Sequence, residues 1–268
     1  MRESGWFISR SASLISLAVV VLCFALANES FARVTMTVLY DNNPYRDGMV
    51  AKHGFSCMIK GTERSILFDT GGDGAVLLHN IRMLGVDAAD VGTVVISHDH
   101  GDHTGGLLPF LSLNSDVSVY LPQGLSAGLA QQVSAAGARI TSVNLPTPIC
   151  KGVYSTGVMG EAIPEQTLVL NSKQGLILIC GCAHPGIINI IQSAMRIFKK
   201  PVLFVFGGFH LEGASEERIK EIIKQFNTNG VKKVGGTHCT GARAMQMFQQ
   251  TYRENYIQMG VGKIVGLQ

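Results

Sequence analysis

The 268-residue sequence predicts an α/β fold in which two sheets pack together with helices outside. Three observations predict it. Short apolar runs pair first as hairpins and only then alternate with helical patterns. That order occurs twice, once in each half of the chain. The composition, 46% hydrophobic and only 15% charged, rules out disorder and supplies enough apolar side chains for a well-buried core.

The chain opens with a leader. Arg2 and Arg10 make a basic region, residues 14–27 an apolar one, and Ala25-x-Ala27 and Ser30-x-Ala32 offer small-residue cleavage sites. This is the pattern of a secretory signal peptide over residues 1–32, which implies export to a bacterial periplasm. The apolar stretch is shorter than the roughly 20 residues of a membrane span, so an uncleaved anchor is the alternative reading.

Residues 33–268 are then the mature domain. Residues 34–39 read as its first strand, and 55–60 with 65–68 as a hairpin around Gly61-Thr62. Residues 75–84 carry apolar side chains at helical spacing and stop at Gly85. Strands over 91–96 and 117–121 follow, then a helix over 125–136 ended by Gly137 and a strand over 140–143. Residues 145–164, rich in Pro, Gly and Thr, read as a connection between the two halves. A second hairpin joins 167–170 to 176–180 through Ser172-Lys173-Gln174-Gly175. A helix over 187–198, a strand over 202–206 and a helix over 215–226 come next, the last started by Ser215, Glu216 and Glu217. A strand over 231–234, a helix over 242–249 and a strand over 261–265 close the chain.

Charge narrows the partners. The formal net charge is +3, and losing Arg2, Glu3, Arg10 and Glu29 with the leader leaves it unchanged. Lys199-Lys200 and Lys232-Lys233 are short pairs beside strands, unlike the basic stripe of a nucleic-acid-binding protein. The expected partner is a small-molecule substrate, with membrane contact only if the leader is retained. Five cysteines follow the leader (Cys57, Cys150, Cys180, Cys182 and Cys239), with no C-x-x-C pair. In an oxidising compartment an odd number leaves at least one free, metal-bound or paired between chains. Cys57 and Cys180 lie in apolar runs and read as small buried hydrophobes.

The most informative stretch is Ser97-His98-Asp99-His100-Gly101-Asp102-His103-Thr104-Gly105-Gly106, an H-x-H-x-D-H pattern between a buried strand and the apolar run Leu107-Leu108-Pro109-Phe110-Leu111. Imidazole and carboxylate are the ligands that zinc and related divalent ions prefer, and a core has no use for so many ionisable groups. His98 and His100 are two apart, so in extended backbone they face the same way. Asp102 and His103 are adjacent and therefore diverge, free to serve a second ion. Asp99 points the other way and is left out of the ligand set.

Histidines recur where later strands end. Cys180 runs into Gly181-Cys182-Ala183-His184-Pro185-Gly186, Phe206 into Gly207-Gly208-Phe209-His210, and Val234 into Gly235-Gly236-Thr237-His238-Cys239-Thr240-Gly241. Each has the form strand, small residues, histidine, helix, and strand ends on one sheet edge converge on one crevice. Phe68-Asp69-Thr70-Gly71-Gly72 is a further polar turn, from which Asp69 would orient a ligand histidine or simply cap a helix.

With these motifs the sequence resembles the metallo-β-lactamase superfamily along essentially the whole mature chain. Asp69 resembles the aspartate of the family's first motif, and His98, His100, Asp102 and His103 match its H-x-H-x-D-H motif residue by residue. His184 and His238 resemble the later motif histidines. The resemblance implies an αββα sandwich of two mixed sheets flanked by helices. It also implies one ion on His98, His100 and His184 and another on Asp102, His103 and His238. A subgroup of dihydropterin-ribofuranosylaminobenzene-phosphate synthase-like, metal-dependent hydrolases is more similar still. The resemblance to it is carried by Asp41-Asn42, His53-Gly54-Phe55-Ser56, and the segments around His184, His210 and His238. One departure stands out. Many members carry a bridging Asp where Gly208 stands here, and the next carboxylate is Glu212. His210 is then a substitute ligand or a substrate contact, and Cys182 a weaker substitute.

The activity so implied is that of a metallohydrolase with one or two divalent ions, zinc first and manganese or iron as alternatives. A water activated by the metal would attack an ester, lactone or phosphoester. Asp102 would orient that water or take its proton, and His210 would contact the leaving group or an anionic substrate. The rival readings are the synthase-like transfer reaction and a non-catalytic exported metal-binding protein.

Overall fold

The computed structural model describes residues 34–267, so the leader expected over residues 1–32 lies outside them. Two sheets form. In the first, β1 (Val34–Tyr40), β2 (Ser56–Lys60) and β3 (Ser65–Phe68) run as an antiparallel meander. Helix α1 (Gly74–Met83) then leads to β4 (Val91–Val95). Helices α2 (Gly101–Thr104) and α3 (Leu107–Leu111) precede β5 (Ser118–Pro122), and α4 (Ala127–Ala135) precedes β6 (Arg139–Val143). From β3 to β6 the strands are parallel, as crossovers through helices require.

The second sheet repeats the plan. Strands β7 (Thr147–Cys150), β8 (Val153–Ser155), β9 (Leu168–Ser172) and β10 (Gly175–Cys180) are antiparallel neighbours. Helix α5 (Ile187–Phe198), β11 (Val202–Gly208), α6 (Glu216–Thr228), β12 (Lys233–Thr237) and α7 (Ala242–Tyr252) follow, with β10, β11 and β12 parallel. Strand β13 (Ile264–Leu267) returns to pair with β1, so the chain ends in the first sheet. The orders are β13-β1-β2-β3-β4-β5-β6 and β12-β11-β10-β9-β8-β7. Among the described residues no helix is long and apolar enough to cross a membrane.

Alternation along the strands builds the layers. In β10, Ile177 and Ile179 face the other sheet, with Phe204, Phe206, Phe55 and Phe68 in the same cluster. Leu176, Leu178 and Cys180 face outward under Ile190, Ile191, Phe226 and Phe248 of the helices. In β2 and β3, Cys57, Ile59, Ile66 and Phe68 face inward, while Met58 and Leu67 pack with Leu77 and Phe110 on the outer side. Strands buried on both faces read as near-continuous apolar runs. Three apolar clusters therefore separate four layers, helix, sheet, sheet, helix.

Two expectations need correction. Residues 145–164 are not a plain connection, because β7 and β8 form within them. Pro148 fits there because β7 is the edge strand, paired on one side only. The strand expected over 231–234 is displaced to Lys233–Thr237, where Gly235 and Gly236 pair with Phe206 and Gly207. Glycine is a weak strand former, and here the neighbouring strand overrides that preference.

Candidate metal centre

The parallel strands of both sheets end on one rim, and their carboxyl ends deliver the polar groups, as open α/β sheets do. Asp69 follows β3, His98 follows β4, Cys182 and His184 follow β10, His210 follows β11 and His238 follows β12. Four residues of this rim adopt positive φ without being glycine: Asp69 (54°), Ala183 (60°), His210 (52°) and His238 (50°). Such backbone costs on the order of 1–3 kcal/mol per residue and persists where surrounding packing holds it.

Two candidate ligand sets come together. In the first, His98 Nε2 lies 3.1 Å from His100 Nδ1 and 3.2 Å from His184 Nε2. In the second, Asp102 Oδ2 lies 3.5 Å from His103 Nε2 and 3.2 Å from His238 Nε2, with Cys182 Sγ 3.2 Å from His103 Nε2. Asp102 and His103, expected to diverge, instead converge, because both project from the single turn of α2. Asp99 stays out of both sets and accepts the Ser126 N–H at 2.8 Å.

The hydrogen-bond network assigns which ring nitrogens face the sets. The Ser97 hydroxyl donates to Asp69 Oδ2 at 2.7 Å and so accepts from His98 Nδ1 at 2.8 Å. Asp69 Oδ2 also accepts from His103 Nδ1 at 2.7 Å. Asn42 Oδ1, oriented by the Gly54 N–H at 3.1 Å, accepts from His238 Nδ1 at 2.8 Å. In its neutral form each of these three rings therefore spends its one proton on an orienting partner and turns a bare Nε2 lone pair inward. His238 Nε2 is buried and has no well-aligned hydrogen-bond partner despite the nearby carboxylate. Lone pairs about 3 Å apart repel one another unless a cation lies among them, so the residues fit the divalent ions that the family implies.

Electrostatics agree. Burial, with His103, His184 and His100 close by, holds His98 far below the usual histidine range. Burial and the neighbouring His210 and His100 bring His184 down to about 4. Both rings are therefore neutral at neutral pH, the form that can bind a cation. Burial would raise the Asp102 carboxyl, but without a cation a second proton on the His238 or His103 ring faces it. That hydrogen bond and charge outweigh burial, so Asp102 is held well below the usual carboxylate range.

Asp69, fully buried, is the residue that orients His103 and Ser97 together. Asp69→Asn places an amide where two donors need an acceptor. It is expected to weaken binding at the second set by about 10–100-fold in a zinc titration, with a smaller loss at the first set, which Asp69 reaches only through Ser97 and His98.

Several site residues escaped sequence reasoning. His53 Nε2 sits 3.1 Å from Asp102 Oδ2 and lines a cavity together with His100, Asp102, His184 and His238. Glu165, buried, accepts the backbone N–H groups of Cys182, Ala183 and His184. Asp41 accepts from Thr237 Oγ1 at 2.6 Å and from Asn43, pinning the loop that carries Asn42. The Gly208 departure also has a steric side. A Cβ there would lie 2.4 Å from Gly181 O and 2.6 Å from Cys239 Sγ, so the space for a bridging Asp is taken. Cys182 donates to Cys239, and His210 also bonds it, so Cys239 is the more readily ionised thiol of the pair.

The fold, its two ligand sets and the sequence comparisons agree on a family. Residues 51–179 match the family model of the metallo-β-lactamase superfamily, and the chain belongs to that superfamily. It is 30% identical to Tm1679, described as a metal-dependent hydrolase of the β-lactamase superfamily. That crystal structure superposes with a TM-score of 0.72 over 87% of this chain and 98% of that one. It is also 27% identical to the 7,8-dihydropterin-6-methyl-4-(beta-D-ribofuranosyl)-aminobenzene-5′-phosphate synthase of Methanocaldococcus jannaschii, over 85% of this chain and 95% of the relative. Human tRNase Z, short form, shares the fold at 15% identity, with a TM-score of 0.60 over 86% of this chain and 98% of that one.

Proposed function

We propose that the protein is a metal-dependent hydrolase of a small ester, lactone or phosphoester-type substrate. The observation that carries this reading is one cavity of about 360 Å³ on which both ligand sets open, through His100 and His184 on one side and Asp102 and His238 on the other. Divalent ions held there, zinc first and manganese or iron as alternatives, would supply a water nucleophile at neutral pH and polarise the scissile group. The chain's own residues do the rest. Asp102, ionised and facing the cavity, orients the attacking water or takes its proton. His53, 3.1 Å from Asp102, can pass that proton toward solvent. His210, exposed beside His184, contacts the leaving group. An adjoining cavity of about 370 Å³ shares His184 and His210 and extends to Arg218, a cation for an anionic part of the substrate. The leader-like sequence of residues 1–32 supports an exported, periplasmic protein.

The synthase of Methanocaldococcus jannaschii favours a second reading, a transfer that joins a pterin to an aromatic amine, since the likeness runs over 95% of that relative. The test is elemental mass spectrometry of the mature protein purified without chelator, followed by turnover assays. Bound metal, with hydrolysis of an ester, lactone or phosphodiester lost to chelator and restored by zinc, is the expected result. Turnover only of a pterin diphosphate with an aromatic amine would replace it with the second reading. No bound metal after zinc is supplied would overturn both.

A further inference from the structure

Next to the second ligand set, Cys182, His210 and Cys239 bring three soft or borderline donors together, with their ligand atoms within 4.8 Å of one another. They come from the carboxyl ends of three neighbouring parallel strands, β10, β11 and β12, not from one loop. Cys182 and Cys239 are only 4% and 7% exposed, whereas His210 is exposed. The thiols thus form the back of the group and the imidazole its mouth. Cys239 Sγ also contacts the Cys182 carbonyl at 3.7 Å, which fixes the second thiol against the loop that carries the first. Any side chain at position 208 would intrude on this space, and glycine leaves it open. Glu212 lines the same cavity and offers an oxygen on the open side.

Two thiols and an imidazole with one open direction suit a zinc-like, thiophilic ion and do not suit magnesium or calcium. We propose that Cys182, His210 and Cys239 form a further metal site that takes a thiophilic divalent cation, with the Cys182 sulfur shared between this site and the second ligand set. The sharing follows from the 3.2 Å approach of Cys182 Sγ to His103 Nε2. The site goes beyond the hydrolase reading but shares His210 with it, and its readout, sulfur-to-metal charge transfer, does not depend on turnover.

The experiment is a cadmium titration of the metal-free mature protein, followed by ultraviolet thiolate-to-cadmium charge transfer and by native mass spectrometry. Cys239→Ser is expected to remove most of the charge-transfer band, leaving the one bond from Cys182 to the second set, and to lower the ion count by one. His210→Ala, at an exposed position, is expected to lower the same count, with circular dichroism checking that the variant folds. His98→Ala, which disables the first set, is expected to leave the band intact. A band unchanged in Cys239→Ser would mean that Cys182 alone binds, for the second set, and would overturn the proposal. So would a Cys182–Cys239 disulfide in the protein isolated without reductant.

Discussion

On the proposed hydrolase reading, Asp102→Ala is expected to lower turnover by about 10²–10⁴-fold, the range for a positioned acid–base group, while the metal-loaded protein keeps its fold. The size follows from where the carboxylate sits. Its Oδ2 is 3.1 Å from His53 Nε2, 3.2 Å from His238 Nε2 and 3.5 Å from His103 Nε2, and its side chain is 21% exposed. Among the described residues it is the one carboxylate that both belongs to the second set and opens on the cavity. Its depressed pKa keeps it in the basic form at neutral pH, despite the opposing effect of burial. Asp102→Asn keeps the shape and removes the charge, so the two variants together separate placement from basicity. Steady-state rates are compared only between samples whose ion content, by elemental analysis, matches the parent. An unchanged rate at full ion content would remove Asp102 from the reaction and leave it as a ligand alone.

The metal motif was legible because it is local. His98, His100, Asp102 and His103 lie within six positions, and a strand followed by a turn and one helical turn brings them together whatever the rest of the chain does. His184, His210 and His238 were legible through repetition, since three strands end in the same small-residue and histidine pattern. What supports them was not legible. Asn42 orients His238 across 196 residues, and Cys182 meets His103 across 79. Such pairs exist only once two sheets have packed, and no periodicity encodes them. His53 had a weak signal, its place in a motif segment, but its contact with Asp102 depends on the turn after β1 folding over α2. Gly54 makes that approach possible. It adopts φ +137°, and a Cβ there would lie 2.4 Å from Asp102 O. The edge hairpin of β7 and β8 was hidden for a different reason. Proline and glycine in residues 145–164 signal a loop, and the edge position, which tolerates them, is a property of the sheet.

Glu165→Ala is expected to destabilise the protein by roughly 3–5 kcal/mol, because it strands two buried and one part-buried backbone donor at once. Glu165 is 1% exposed; its Oε1 accepts from Cys182 N at 3.0 Å and Ala183 N at 2.9 Å, and its Oε2 from His184 N at 2.8 Å. Its own backbone is locked to Met159 by two 2.9 Å hydrogen bonds, so the carboxyl has little freedom to be replaced by a shifted neighbour. The next residue ties the same segment to the first sheet, since Gln166 Nε2 donates to Ile96 O at 2.8 Å and Gln166 N to Ser97 O at 2.9 Å. Glu165 thus holds the loop on which Cys182 and His184 are carried, including the strained φ of 60° at Ala183. Glu165→Gln is the sharper control. Its Oε1 can still accept two of the N–H groups, but its amide would meet the His184 N–H donor to donor. A loss of about 1–3 kcal/mol is expected. Urea unfolding of the metal-free proteins reads both losses without interference from bound ions, and a zinc titration then reads the first ligand set. Equal midpoints for parent and Glu165→Ala would show that the loop finds other acceptors. Unchanged zinc affinity in a destabilised variant would show that His184 is positioned by its own ring contacts and not by its backbone.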